Sequence, residues 1–136
     1  MLLLKWTLWY NLDKGRNKEK GGIAMELQRT LADFTQRAEQ VYGSRLVRIV
    51  LYGSYARGDF QPDSDIDLLV LVDADEAFIK QKDNQLYDAA YDVGYDAHVT
   101  IHPITLSVAH FHKWQTVHPF YKNICADGVE VYAHAG

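Results

Sequence analysis

The 136-residue chain has few of the features that staple, anchor or attach a protein to a polyanion. Its one cysteine, Cys125, cannot form an internal disulfide, and that usage fits a reducing cytoplasm. Long apolar runs are also missing. Met1 to Tyr10 is hydrophobic, but it is short, interrupted by Lys5 and not followed by a small-residue cleavage site. It therefore reads as neither signal peptide nor membrane span. Basic charge is scarce outside the N-terminus. Residues 1–24 hold five basic and two acidic side chains, while the remainder holds nine basic and sixteen acidic ones. An acidic body excludes non-specific binding to nucleic acid, which needs many Lys and Arg phosphate contacts. No internal repeat appears. The length suits one domain with a real core, and leaves no room for a separate substrate domain.

What is present is concentrated in Leu51 to Val72, LYGSYARGDFQPDSDIDLLVLV. A hydrophobic strand over 46–52 runs into Gly53 and Ser54. Gly53 lets backbone approach a ligand closely, and Ser54 brings a hydroxyl and an N–H to the start of a short helix, where phosphate is favoured. Ten residues on come Asp65 and Asp67, two apart at the entry to a buried strand, so both carboxylates point to one face. Side by side they repel unless a cation lies between them, and a hard divalent ion such as Mg²⁺ suits oxygen ligands. Two other readings fail on spacing. Leu68 stands where a calcium loop needs its turn glycine, and Gly53 to Gly58 lacks the Lys-Ser/Thr of a phosphate-binding P-loop.

Gly-Ser, ten residues, then Asp-x-Asp resembles the signature of the DNA polymerase beta superfamily of nucleotidyltransferases. The wording GSYARGDFQPDSDIDLLVLV is closest to the minimal nucleotidyltransferases that accompany HEPN-domain toxins. The resemblance implies an α/β (α+β) fold, a small mixed sheet with helices mainly on one face. It implies transfer of AMP from ATP to a hydroxyl, with two Mg²⁺ ions held by Asp65, Asp67 and a third acid on a neighbouring strand. It also implies a tyrosine of a HEPN toxin as acceptor and an antitoxin role. Gly53 and Ser54 would hold the outgoing pyrophosphate. Arg57 either reaches the triphosphate or pairs with an Asp of the loop. A small-molecule nucleotidyltransferase, and a non-catalytic module that binds nucleotide or toxin and acts by occlusion, stay open as alternatives.

Around the motif, the pattern predicts a helix from Met25 to Gly43, with Leu27, Leu31, Phe34, Ala38 and Val41 inward. Lys18 to Gly22 would be encoded by a purine-rich run just upstream of Met25. Residues 1–24 are therefore expected to lie outside the core as a leader or extension, with 11–22 a linker and 25–136 a single domain. Asp73 is expected to cap a helix from about Ala74 to Val93, stopped by Gly94. Tyr95 to His102 reads as a third strand ended by Pro103. This places Asp96 as the third carboxylate, with His98 and His102 on its face and Asp92 as the alternative. Thr105 to Val117 reads as a helix. Another starts at Pro119, and Val129 to Tyr132 forms a short edge strand. His110 and His112 do not share a helix face, which excludes a zinc pair there. Trp114, Phe120 and Tyr121 are expected to be exposed and to receive a partner.

Overall fold

The computed structural model describes residues 18–134, with side chains from Met25 onward. Helix α1 (Lys18–Tyr42) buries Leu27, Leu31, Phe34, Ala38 and Tyr42 at three- and four-residue spacing, as the sequence periodicity requires. Gly43, at φ +60°, ends it. The helix begins before Met25, so the last part of the expected linker, from Lys18, is helical. The rest of the expected leader lies outside the described residues.

Strands β1 (Leu46–Tyr52) and β2 (Ile66–Val72) are antiparallel neighbours at the centre of a four-stranded sheet. Between them stands the four-residue helix α2 (Ser54–Arg57). Asp75, not Asp73, caps helix α3 (Glu76–Ala97), its carboxylate accepting from the N–H of Phe78 at 2.9 Å. Strand β3 (Ile101–Ser107) pairs parallel to β2, and helices α4 (Val108–Trp114) and α5 (Pro119–Asp127) follow. Strand β4 (Val129–Ala133) then pairs antiparallel to β1 as the second edge, giving the order β3-β2-β1-β4.

The observed class is the expected one, a mixed sheet with helices, but several boundaries move, and the helix expected over Thr105 to Val117 is confined to Val108–Trp114. Helix α3 does not stop at Gly94. A side chain there would run into the carbonyl of Val99, so glycine serves a close approach and the helix continues to His98, which caps it in the left-handed region. The third strand consequently starts at Ile101. Pro103 lies inside it instead of ending it, which an edge strand tolerates because one side of its backbone has no ladder to complete.

Helices also cover more than one face of the sheet. Ile66, Leu68, Val70 and Val72 join Leu46, Ile49 and Leu51 in the large core beneath α1 and α3. Leu69, Leu71 and Tyr52 face the other way, into a smaller cluster with Phe111, Tyr121 and Ile124 from α4 and α5. Tyr121 is buried there, contrary to its expected exposure, whereas Trp114 and Phe120 are partly exposed.

Candidate active site

Strand β1 delivers the chain to Gly53 at φ +77°. A Cβ built at this position would collide with the carboxylate of Asp67, so only glycine allows the backbone turn and the acid to lie in contact. Helix α2 closes at Gly58, with the N–H groups of Gly58 and Asp59 both donating to the carbonyl of Ser54 at 2.9 and 3.1 Å. Tyr55 stacks on Phe60, ring centres 4.4 Å apart, and ties the turn to the loop that follows. In that loop the Ser64 hydroxyl accepts from the N–H of Gln61 at 2.8 Å, and the N–H of Ile66 donates to the carbonyl of Thr100 at 2.9 Å. These bonds aim the start of β2.

Asp65 and Asp67 therefore lie on the same side of the β2 entry, on the face of the smaller cluster. Tyr52 stands opposite Asp67 on β1, and His102 stands opposite it on β3. The Nδ1 of His102 is 3.7 Å from Asp67 Oδ1. Burial, opposed by the charge of His102 and reinforced by that of Asp65, raises the Asp67 carboxyl above its ordinary value. Burial and the charge of Asp67 push the Tyr52 hydroxyl up to about 12, so it remains a protonated donor. The donor set fits a divalent cation. The two acids carry like charge toward one place, Asp67 is held there partly desolvated, and an intervening cation would relieve both penalties.

The other expected site residues are placed differently. Asp96 is on the last turn of α3, in a recess with Glu26, Arg29 and Asp33, and the structure does not bring it to Asp65 and Asp67. Its expected strand position fails because α3 runs past Gly94. Asp92 pairs instead with Arg37 of α1 at 3.2 Å. Among the described residues, no group of three or more His, Cys, Asp or Glu side chains is arranged to hold a metal. The position beside Asp67 on the neighbouring strand belongs to His102. Its place became legible only once β3 was set in register, although the β-branched run Ile104-Thr105 after Pro103 carried the signal. Arg57 pairs with Asp59 of the loop at 3.3 Å, on the surface. His98 caps α3 and lines a groove with Asp65.

A family model described as a nucleotidyltransferase domain matches residues 30–124, more than half of the chain. The chain belongs to the nucleotidyltransferase domain family. Among curated proteins, it is 35% identical over 81 residues to an inferred protein adenylyltransferase of Methanocaldococcus jannaschii, covering 59% of this chain and 79% of that one. A second inferred protein adenylyltransferase of the same organism is 36% identical over 55 residues, covering 40% of this chain and only 55% of its own length. A solved structure described as a toxin-antitoxin with AMP-PNP covers 75% of this chain and 73% of its own. Its identity of 15% and TM-score of 0.47 carry no argument about function. This nucleotidyltransferase keeps Gly53, Ser54, Asp65 and Asp67 within the matched span. Among its described residues, no helix is long and apolar enough to cross a membrane.

Proposed function

We propose that this nucleotidyltransferase moves AMP from ATP onto a protein hydroxyl, that the acceptor is a tyrosine of a HEPN toxin, and that the chain acts as its antitoxin. The observation that carries the reading is the contact of Gly53 with Asp67, with Asp65 two residues away on the same side. That contact sets a backbone turn suited to phosphate against a carboxylate pair suited to a cation. The names of the curated relatives point to a protein acceptor. The resemblance of GSYARGDFQPDSDIDLLVLV to the minimal nucleotidyltransferases that accompany HEPN toxins suggests the toxin.

In this reading Asp65 and Asp67 hold Mg²⁺, which when bound supplies charge neutralisation at the triphosphate and a more acidic acceptor hydroxyl. The Gly53–Ser54 turn orients the outgoing pyrophosphate by backbone N–H groups and the Ser54 hydroxyl. The acceptor oxygen attacks the α-phosphorus in line, its proton passes to solvent, and the bond to the departing pyrophosphate breaks. Tyr52, protonated throughout the working pH range, can donate a hydrogen bond to the Asp67 side of the site. The surface pair Arg57–Asp59 leaves Arg57 able to swing toward phosphate.

Intact-protein mass spectra of toxin mixed with this chain, Mg²⁺ and ATP test the proposal. One added AMP per modified tyrosine is expected with the natural chain and none with Asp65→Asn. One observation favours a second reading, occlusion without chemistry, namely that no third acid stands beside the pair among the described residues. Equal protection of cells by Asp65→Asn and by the natural chain would select it.

A further inference from the structure

Helix α3 carries three tyrosines one turn apart, Tyr87, Tyr91 and Tyr95, and all three are exposed, Tyr91 and Tyr95 by 70% and 71%. Large rings are costly to leave in water in a row, and here the rings of Tyr91 and Tyr95 stack with centres 6.1 Å apart. They wall one side of a groove of about 770 Å³ whose floor includes Gly94 and whose far wall is the loop carrying Asp63 and Asp65. The groove thus reaches Asp65, one of the two acids of the candidate site. Its composition separates possible occupants. Two carboxylates line it, and among the described residues no lysine or arginine does. Apart from the imidazole of His98 at the end of α3, a phosphate-bearing ligand would find no basic side chain along these walls. From Tyr87 to Tyr95 the wall runs roughly 12 Å at the helical rise per residue, longer than a single nucleobase and enough for an extended stretch of three or four residues. Tyrosine anchors peptide at small entropic cost and accepts a cation over its ring face.

We propose that the tyrosine face of α3 is the acceptor-side docking groove, seating a lysine- or arginine-bearing polypeptide segment so that its hydroxyl reaches Asp65. The inference rests on the reading of this chain as a protein-modifying transferase and adds to it the chemistry of the segment recognised. Acidic walls favour a cationic segment and repel an acidic one, and the tyrosines supply apolar contact. The C-terminal aromatics Trp114 and Phe120 are left out of this groove.

The test uses the whole chain and two short fluorescent peptides of equal length. Each contains one tyrosine, flanked by lysines in one peptide and by glutamates in the other. Anisotropy is expected to show the lysine peptide bound at least about tenfold tighter than the glutamate peptide, and a Tyr91→Ser/Tyr95→Ser variant is expected to lose about tenfold of that affinity. Circular dichroism should be unchanged, since both side chains are exposed, and Mg²⁺–ATP affinity, measured separately, should hold. Absent binding of the lysine peptide, equal binding of the two peptides, or affinity indifferent to the double substitution would overturn the proposal. A fall in ATP affinity instead of peptide affinity would also overturn it, by assigning the wall to the nucleobase. A lysine peptide that binds as described but gains no AMP would leave the groove standing and remove the transferase reading.

Discussion

The two faces of β2 put adjacent residues to different uses. Ile66, Leu68, Val70 and Val72 are sealed into the larger core beneath α1 and α3. On the other side, Leu69 and Leu71 are covered by a thin cluster from α4 and α5, and Asp67 lies at its uncovered end with Asp65 beside it. One face holds the strand in place by burial. The other holds a partly desolvated carboxylate against a glycine turn, an arrangement that costs stability when no cation is bound. A strand whose alternate residues pack this differently can carry a reactive cluster without loosening, because its position is fixed from behind.

The sharpest way to break that contrast is Asp67→Asn. Transfer should fall about a thousandfold, the scale of losing metal-assisted charge stabilisation, as measured by pyrophosphate release with the proposed acceptor present. Stability should move the opposite way. The Asp67 carboxyl is raised in the folded chain, so this residue's contribution favours folding below its unfolded value and is lost as pH rises through the folded value. Asp67→Asn should therefore melt higher than the natural chain at neutral pH without Mg²⁺, and the gap should close in acid. A lower melting temperature at neutral pH would contradict the assignment.

Leu68→Ala tests the opposite face. It should cost about 3 kcal/mol in urea unfolding while leaving turnover per folded molecule close to natural, since Leu68 is fully buried in the larger core, on the face of β2 away from Asp67. Leu69→Ala should cost less, about 2 kcal/mol, because the thinner cluster beneath α4 and α5 can settle into the space. Equal losses would mean that the two faces are packed alike.

Gly53→Ala comes next. The backbone at φ +77° and ψ −155°, a region open almost only to glycine, should cost roughly 1–3 kcal/mol, and the new Cβ should displace the Asp67 carboxylate, so activity should fall far more than stability. The smallest effect belongs to Arg57→Ala. Its exposed pair with Asp59 should be worth less than about 0.5 kcal/mol, so the melting curve should barely shift. A rise in the KM for ATP in that variant would show that the guanidinium also reaches phosphate.

How much of this was legible beforehand differs along the chain. The stretch from Leu46 to Val72 was read correctly in element and order because each choice there is local. Strand periodicity, a glycine that must turn, a polar loop and an apolar run fix the hairpin within a few residues of sequence. The stretch from Gly94 to Ser107 was misread. A glycine that stops helices elsewhere here permits packing against Val99, and a proline that ends strands elsewhere sits on an edge. At both positions, neighbours beyond the adjoining residues decide what the residue does. That shift moved Asp96 from the expected strand to a helix end and brought His102 beside Asp67.

The sequence by itself determined the turn at Gly53, the spacing of Asp65 and Asp67, their common face and the family to which they belong. Each depends on backbone geometry over a few residues, which side-chain type and alternation specify directly. Only the tertiary structure decided which residue stands beside the pair and which helix face borders it. The parallel register of β3 on β2 and the length of α3 depend on how separate elements pack, and no periodicity within either element encodes that.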